Sequence, residues 1–169
     1  TYLVEVVDKT LTEYTIKDNT RFIGESAFSN CSNMTSITIP DSVIEIGSSA
    51  FSNCRGHLII NSSVVERDWW SAPIRPADWV NSARFSKLTI GNNIKKVGNR
   101  QFYGCTSFKS VIISDSVTSI GSFAFSHCDS LKSVTIPNSV TSIGNSAFNG
   151  CTYLTNVVIP DGVTEISDY

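Results

Sequence analysis

Apolar positions along this chain return at a fixed long interval. Ile39-Pro40-Asp41-Ser42-Val43 recurs as Ile136-Pro137-Asn138-Ser139-Val140 and as Ile159-Pro160-Asp161-Gly162-Val163, with Ile113-Ser114-Asp115-Ser116-Val117 as a further copy. The step from Ile16 to Ile39 is 23 residues, and so are the steps from Ile90 to Ile113, Ile136 and Ile159. Within one unit, Leu131-Lys-Ser-Val134-Thr-Ile136 ends in alternation and is rich in β-branched residues, the pattern of a strand with one buried face. Pro137-Asn138-Ser139 then makes a turn, because proline sets φ and asparagine bonds its own backbone. Val140-Thr-Ser-Ile143 is a second short extended piece, broken by Gly144. Ser146-Ala147-Phe148-Asn149 is long enough only for a helical turn.

A unit of this size cannot bury its own apolar face, but stacked units can, since each position then falls on its equivalent in the next coil. The expected rows are Ile37, Val111, Val134 and Val157; Ile16, Ile39, Ile90, Ile113, Ile136 and Ile159; and Ile23, Ile46, Val97, Ile120, Ile143 and Ile166. An aromatic row runs Phe28, Phe51, Phe102, Phe125 and Phe148. A glycine row runs Gly24, Gly47, Gly98, Gly121 and Gly144, where either a positive φ or a close backbone approach would exclude a side chain. The fold expected is mainly β with short helical turns: a solenoid of about seven 23-residue coils, with strands near 11–16, 34–39, 57–61, 85–90, 108–113, 131–136 and 154–159. A single domain over 1–169 is expected, ending partway through a coil. Only the step from Ile39 to Ile90 breaks the period, at 51 residues, or two periods plus five.

The recurring Ile-Pro-x-x-Val-x-x-Ile-Gly-x-x-Ala-Phe-x-x-Cys resembles the BspA-like (Treponema-type) leucine-rich repeat of surface proteins, from about Leu11 to Ile166. The resemblance implies a right-handed leucine-rich-repeat solenoid with a parallel sheet on its concave side. It also implies a cell-surface or secreted setting and interaction or adhesion roles, with host or neighbouring-cell proteins as partners. No enzyme activity attaches to the repeat, and no cofactor is expected.

Composition narrows the function classes. Hydrophobic residues make up 41% of the chain and charged residues 17%, too apolar for a disordered chain. No run approaches the roughly 18 apolar residues of a spanning helix, so membrane insertion by this segment is not expected. Thirteen basic against 15 acidic residues give a net charge of −2, which offers no broad basic footprint for nucleic acid. Cys31, Cys54, Cys105, Cys128 and Cys151 each fall three residues after a row phenylalanine, which predicts one buried column of free thiols. No Cys-x-x-Cys pair supports zinc. Asp18, Asp41, Asn92, Asp115, Asn138 and Asp161 share a turn position; the exchange of Asp for Asn suits turn capping better than calcium. His127 stands where other copies carry Asn or Gly, so it reads as a turn residue. With no orienting third group beside the His127–Cys128 neighbours, the chain reads as a non-enzyme.

Candidate binding residues fall in two places. The strand face open to solvent carries Lys87, Lys109 and Lys132, the last two in one column, among Ser and Thr. The irregular repeat at 61–84 holds all three tryptophans, Trp69, Trp70 and Trp79, flanked by Arg67 and Arg75. There the rings either fill the space left by a missing Phe and Cys or project as an anchor, since Trp and Arg are enriched at interface hot spots. An exposed tryptophan loop would also suit carbohydrate, and a chain with no ligand at all would be a structural stalk.

Overall fold

The computed structural model describes residues 2–3, 6, 8–67, 76–80 and 82–166. In chain order the first strands are β1 (Tyr2–Leu3), β2 (Glu13–Thr15), β3 (Phe22–Ile23), β4 (Ser36–Ile39), β5 (Glu45–Ile46) and β6 (Arg55–Ile60). A 3₁₀ turn at Ser63–Glu66 and the short helix α1 (Pro76–Val80) follow. Then come β7 (Arg84–Ile90), β8 (Lys96–Val97), β9 (Ser110–Ile113), β10 (Ser119–Ile120), β11 (Ser133–Thr135), β12 (Ser142–Ile143), β13 (Asn156–Val157) and β14 (Glu165–Ile166).

Seven strands, β2, β4, β6, β7, β9, β11 and β13, form one sheet in that order. Every pairing in it is parallel and links one coil to the next. The register carries Tyr14, Ile37, Leu58, Leu88, Val111, Val134 and Val157 along one inward row. Ile39, Ile60, Ile90 and Ile113 form the next. The second side is split into β1-β3-β5 and β14-β12-β10-β8. The break is the 3₁₀ turn, yet the row is kept: the Gly98 amide donates to the Val65 carbonyl at 2.8 Å, as the Gly121 amide donates to Val97. Val65, fully buried, thus stands in the row of Ile46 and Val97.

The irregular step divides differently from two equal periods with five residues added. Ile60 takes the row position, so the steps are 21 residues from Ile39 and 30 from Ile60 to Ile90. The shortening lies just after Cys54. Other coils place an apolar residue three positions after the Cys, as Met34, Phe108 and Leu131 do, all buried. Here the chain enters β6 directly at the exposed Arg55, so this strand begins earlier than the pattern predicts. The lengthening follows Val65, and the segment after it returns as α1. The Ser49 and Asn53 amides donate to the Asp78 and Ser82 carbonyls, both at 2.9 Å, as Ser26 and Asn30 do to Ser48 and Ser52 in the coil before. The aromatic row is stacked at Phe28–Phe51 (5.2 Å) and again at Phe102–Phe125 (5.2 Å) and Phe125–Phe148 (5.5 Å). In the gap, Trp79 and Phe85 meet Phe51 edge-on at 5.7 and 6.0 Å.

The glycine row is explained by close approach. A Cβ on Gly121 would sit 2.7 Å from the Asn99 amide nitrogen, and one on Gly144 would sit 2.5 Å from that of Ser122. The positive φ falls two residues later, at Ser26, Ser49, Arg100, Phe123 and Ser146, between 53° and 57°. Because the obstacle is backbone, no rotamer relieves it. Gly121→Ala is therefore expected to destabilise the protein by about 1–3 kcal/mol, as overpacking does, read from the urea midpoint. An unchanged midpoint would mean that the coils do not approach as closely as this.

Candidate interaction surface

Parallel strands with one face in the core leave the alternate residues facing out. Along β4, Ile37 and Ile39 are buried while Thr38 is exposed. The register aligns the outward residues into rows across the sheet. One row is Glu13, Ser36, His57, Lys87, Ser110, Ser133 and Asn156. The next is Thr15, Thr38, Ile59, Thr89, Ile112 and Thr135.

Lys109 and Lys132 lie at the strand-entry position beside the first row. The Lys109 amide donates to the Ser86 carbonyl at 2.7 Å and the Lys132 amide to the Lys109 carbonyl at 2.9 Å, so the two lysines are on adjacent coils. Both are exposed, and Lys87 is half-buried beside them. Three further basic groups join them that the sequence pattern did not single out. Arg55 and Arg84 are direct partners at the start of β6 and β7, and His57 pairs with Lys87 across a register shift at Gly56/His57. The His57 Nε2 lies 2.8 Å from Thr89 Oγ1. Burial, and then the Lys87 charge, hold this imidazole below its ordinary pKa. Arg55 stands three residues before the row residue Leu58, the place that Met34, Phe108 and Leu131 hold before Ile37, Val111 and Val134, and only the strand register reveals this.

The second candidate cluster is not assembled in this way. Trp79 is 2% exposed and belongs to the core, so it fills space and offers no surface anchor. Arg67 is exposed but follows the 3₁₀ turn on the second side, where its carbonyl accepts from Gln101 Nε2; it is not brought beside the lysines. Trp69, Trp70 and Arg75 lie outside the described residues. A different surface group appears that sequence reading missed. The Arg100 guanidinium lies over the Phe123 ring at 4.8 Å and the Tyr103 ring at 5.7 Å, and Tyr103 meets His127 edge-on at 5.5 Å. Its signal was Phe123 at a position that is Ser in the coils of Ser26, Ser49 and Ser146.

Cys31, Cys54, Cys105 and Cys128 are buried and Cys151 half-buried, all as free thiols. The Sγ of Cys54, Cys128 and Cys151 donates to the row-phenylalanine carbonyl of the preceding coil, Phe28, Phe102 and Phe125, at 3.0–3.2 Å. Burial pushes the Cys54 and Cys105 thiols up to about 12. The Asx positions are exposed at turns closed by backbone bonds such as Val43 to Pro40 (3.2 Å) and Val140 to Pro137 (3.1 Å). The residue after them has a role the sequence left unassigned. Ser42, Ser116 and Ser139 hydroxyls donate at 2.7–2.8 Å to carbonyls of the preceding coil, and Ser62 does likewise to Val43. His127 has φ 58°, matching Asn30, Asn53, Gly104 and Gly150 before the other cysteines, which accounts for its place in the turn. Among the described residues, no group of three or more His, Cys, Asp or Glu is placed to hold a metal. Nor does any described helix have the length and apolarity to cross a membrane.

Likeness to known proteins follows the same architecture. No curated protein sequence matches the chain. Among solved structures, the pneumococcal vaccine antigen PcpA is similar at 19% identity and a TM-score of 0.50, over 88% of this chain and 45% of that one. The Leucine Rich Repeat protein of T. pallidum is similar at 21% identity and a TM-score of 0.53, over 82% of this chain and 63% of that one. At these identities the likeness is one of fold, and the chain spans less than two thirds of either protein's length. The sequence profile of the "BspA type Leucine rich repeat region" matches residues 7–67 and 74–169 in six copies. The chain therefore belongs to the BspA-type leucine-rich repeat family.

Proposed function

We propose that the chain is a single non-catalytic solenoid domain, 1–169, whose seven-stranded sheet offers its outer face as a docking surface for protein. The observation that carries this reading is the set of aligned outward rows, which present Ser, Thr and Lys side chains on successive strands. A stacked-repeat scaffold holds such rows at fixed spacing, and the extended face of a solenoid is where repeat proteins bind their partners. Display at a cell surface or secretion, with a host matrix or neighbouring-cell protein as partner, is the setting that family membership favours. Trp69 and Trp70 with Arg67 and Arg75 make a second place for a partner, and a carbohydrate would use it through those rings.

The test is capture on a panel of immobilised matrix glycoproteins and glycans. The intact chain is compared with Ser133→Trp and Thr38→Arg on the sheet face, and with a Trp69→Ala, Trp70→Ala variant, each checked for folding. Capture lost with the two face variants and kept in the tryptophan variant supports the docking face. Capture lost only without the tryptophans moves the site to the irregular loop, and a glycan as the captured ligand then makes it a carbohydrate module. No capture by any form overturns the docking reading in favour of a stalk.

A further inference from the structure

The basic residues of this weakly acidic chain are not spread evenly. On β6, β7, β9 and β11, with the residue preceding each of the last two, stand Arg55, His57, Arg84, Lys87, Lys109 and Lys132, and no Asp or Glu. Adjacent strands lie about 4.8 Å apart, so Lys109 and Lys132, in one column on successive coils, stand at roughly that pitch, and Lys87, the partner of Ser110, continues the positive charge one residue further along the next strand. Arg55 and Arg84 are directly opposite each other. Like charges so placed oppose strand pairing, so the fold itself gains nothing from them. The row beside this band has another character. It runs Ile59, Thr89, Ile112 and Thr135, and Ile112 is 36% exposed.

Resting on the docking face proposed above, we propose that this band takes an acidic polypeptide segment whose carboxylates alternate with apolar side chains. The carboxylates answer the lysines and arginines, and the apolar side chains cover Ile112 and Ile59. The two isoleucines of that row are what favour a polypeptide over a sulfated polysaccharide, which has the charge but nothing to bury on an isoleucine. Complementary charge sets orientation and the rate of encounter, and burial of the neighbouring row adds affinity that salt does not screen.

The probe is a fluorescent 16-residue peptide repeating Glu-Leu-Glu-Thr, with heparin and a Glu-Ser-Glu-Thr peptide beside it, and anisotropy as the readout. Three exposed charge pairs of ordinary strength amount to about tenfold in affinity. The Lys87→Glu, Lys109→Glu, Lys132→Glu variant is therefore expected to weaken the peptide about tenfold or more, and 0.3 M salt to weaken it similarly. Ile112→Ser is expected to weaken the leucine peptide several-fold and leave the serine peptide unchanged. Heparin binding that is lost in the lysine variant and indifferent to Ile112→Ser, with no peptide binding, overturns the proposal in favour of a sulfated glycan. Binding of neither probe overturns it outright. The two readings fail separately. If Ser133→Trp abolishes matrix capture while the lysine variant changes neither capture nor peptide binding, the docking face stands and its acidic preference falls. If peptide binding follows the lysines while both face variants leave matrix capture intact, the acidic site stands and the wider docking reading falls.

Discussion

Phe125→Ala is expected to cost about 3–5 kcal/mol of unfolding free energy. Phe125 is fully buried and stacked on both faces, by Phe102 at 5.2 Å and by Phe148 at 5.5 Å. The near-parallel rings, 11° and 3° apart, come from equivalent positions in consecutive coils, so the space that the ring leaves is walled above and below by the Phe102 and Phe148 rings. The cost is a sizeable share of the about 5–15 kcal/mol by which domains are usually stable. Phe148→Ala, at a half-buried position, is expected to cost clearly less. Chemical denaturation of the two variants beside the parent checks both statements. Equal losses would mean that the aromatic column does not act as a continuous stack.

Alkaline pH is expected to unfold the protein through its thiol column. Burial holds Cys105 at about 12, against an ordinary thiol value of 9.0. Cys54 is also pushed up to about 12, by burial first and then by the neighbouring Cys31 thiol. Cys128 is raised too, by its bond with Cys151 and by burial. Between pH 9 and about 12 the unfolded chain releases protons that the folded chain keeps, so the unfolded state gains and stability falls as pH rises. Each such thiol contributes a slope of about 1.4 kcal/mol per pH unit, or about 4 kcal/mol across the window for Cys105. Below pH 9 the contribution is fully present. Thermal midpoints at pH 8, 9.5 and 11 for the parent and Cys105→Ala test this. Lysine and tyrosine ionisation is common to both proteins, so the difference in slope isolates one thiol. Parallel curves would show that Cys105 ionises as readily in the folded protein as outside it.

Much of this architecture is legible in the residues because a solenoid repeats its own solution. Each regular coil writes Ile, Gly, Phe and Cys at the same place, so a row in the sequence is a row in space. The rows through Ile37, Val111, Val134 and Val157, and through Ile23 and Ile46, fall into register as expected. The turn role of His127 and the burial of four of the five cysteines were legible for the same reason. The irregular coil was not, because there the period gives no guide. Its 51 residues divide as 21 and 30 only once Ile60 is paired with Ile39 and Ile90, and Val65 reaches its row through a 3₁₀ turn that no alternation announces. Whether Trp79 faces in or out depends on an unfilled volume beside Phe51, which is a property of packing and not of the segment that carries the residue.

The basic band divides in the same way between the two levels. The period alone put Lys109 and Lys132 in one column. Arg55, His57 and Arg84 joined them through the shortened turn after Cys54 and the register shift at Gly56/His57, two irregularities that only strand pairing resolves. What the chain by itself determined is the coil, its rows and its turns, since local spacing dictates which residues meet their copies. What the tertiary structure alone decided is how the one coil that breaks the spacing closes, and hence which charges share a face, because that depends on contacts between residues with no periodic relation to each other.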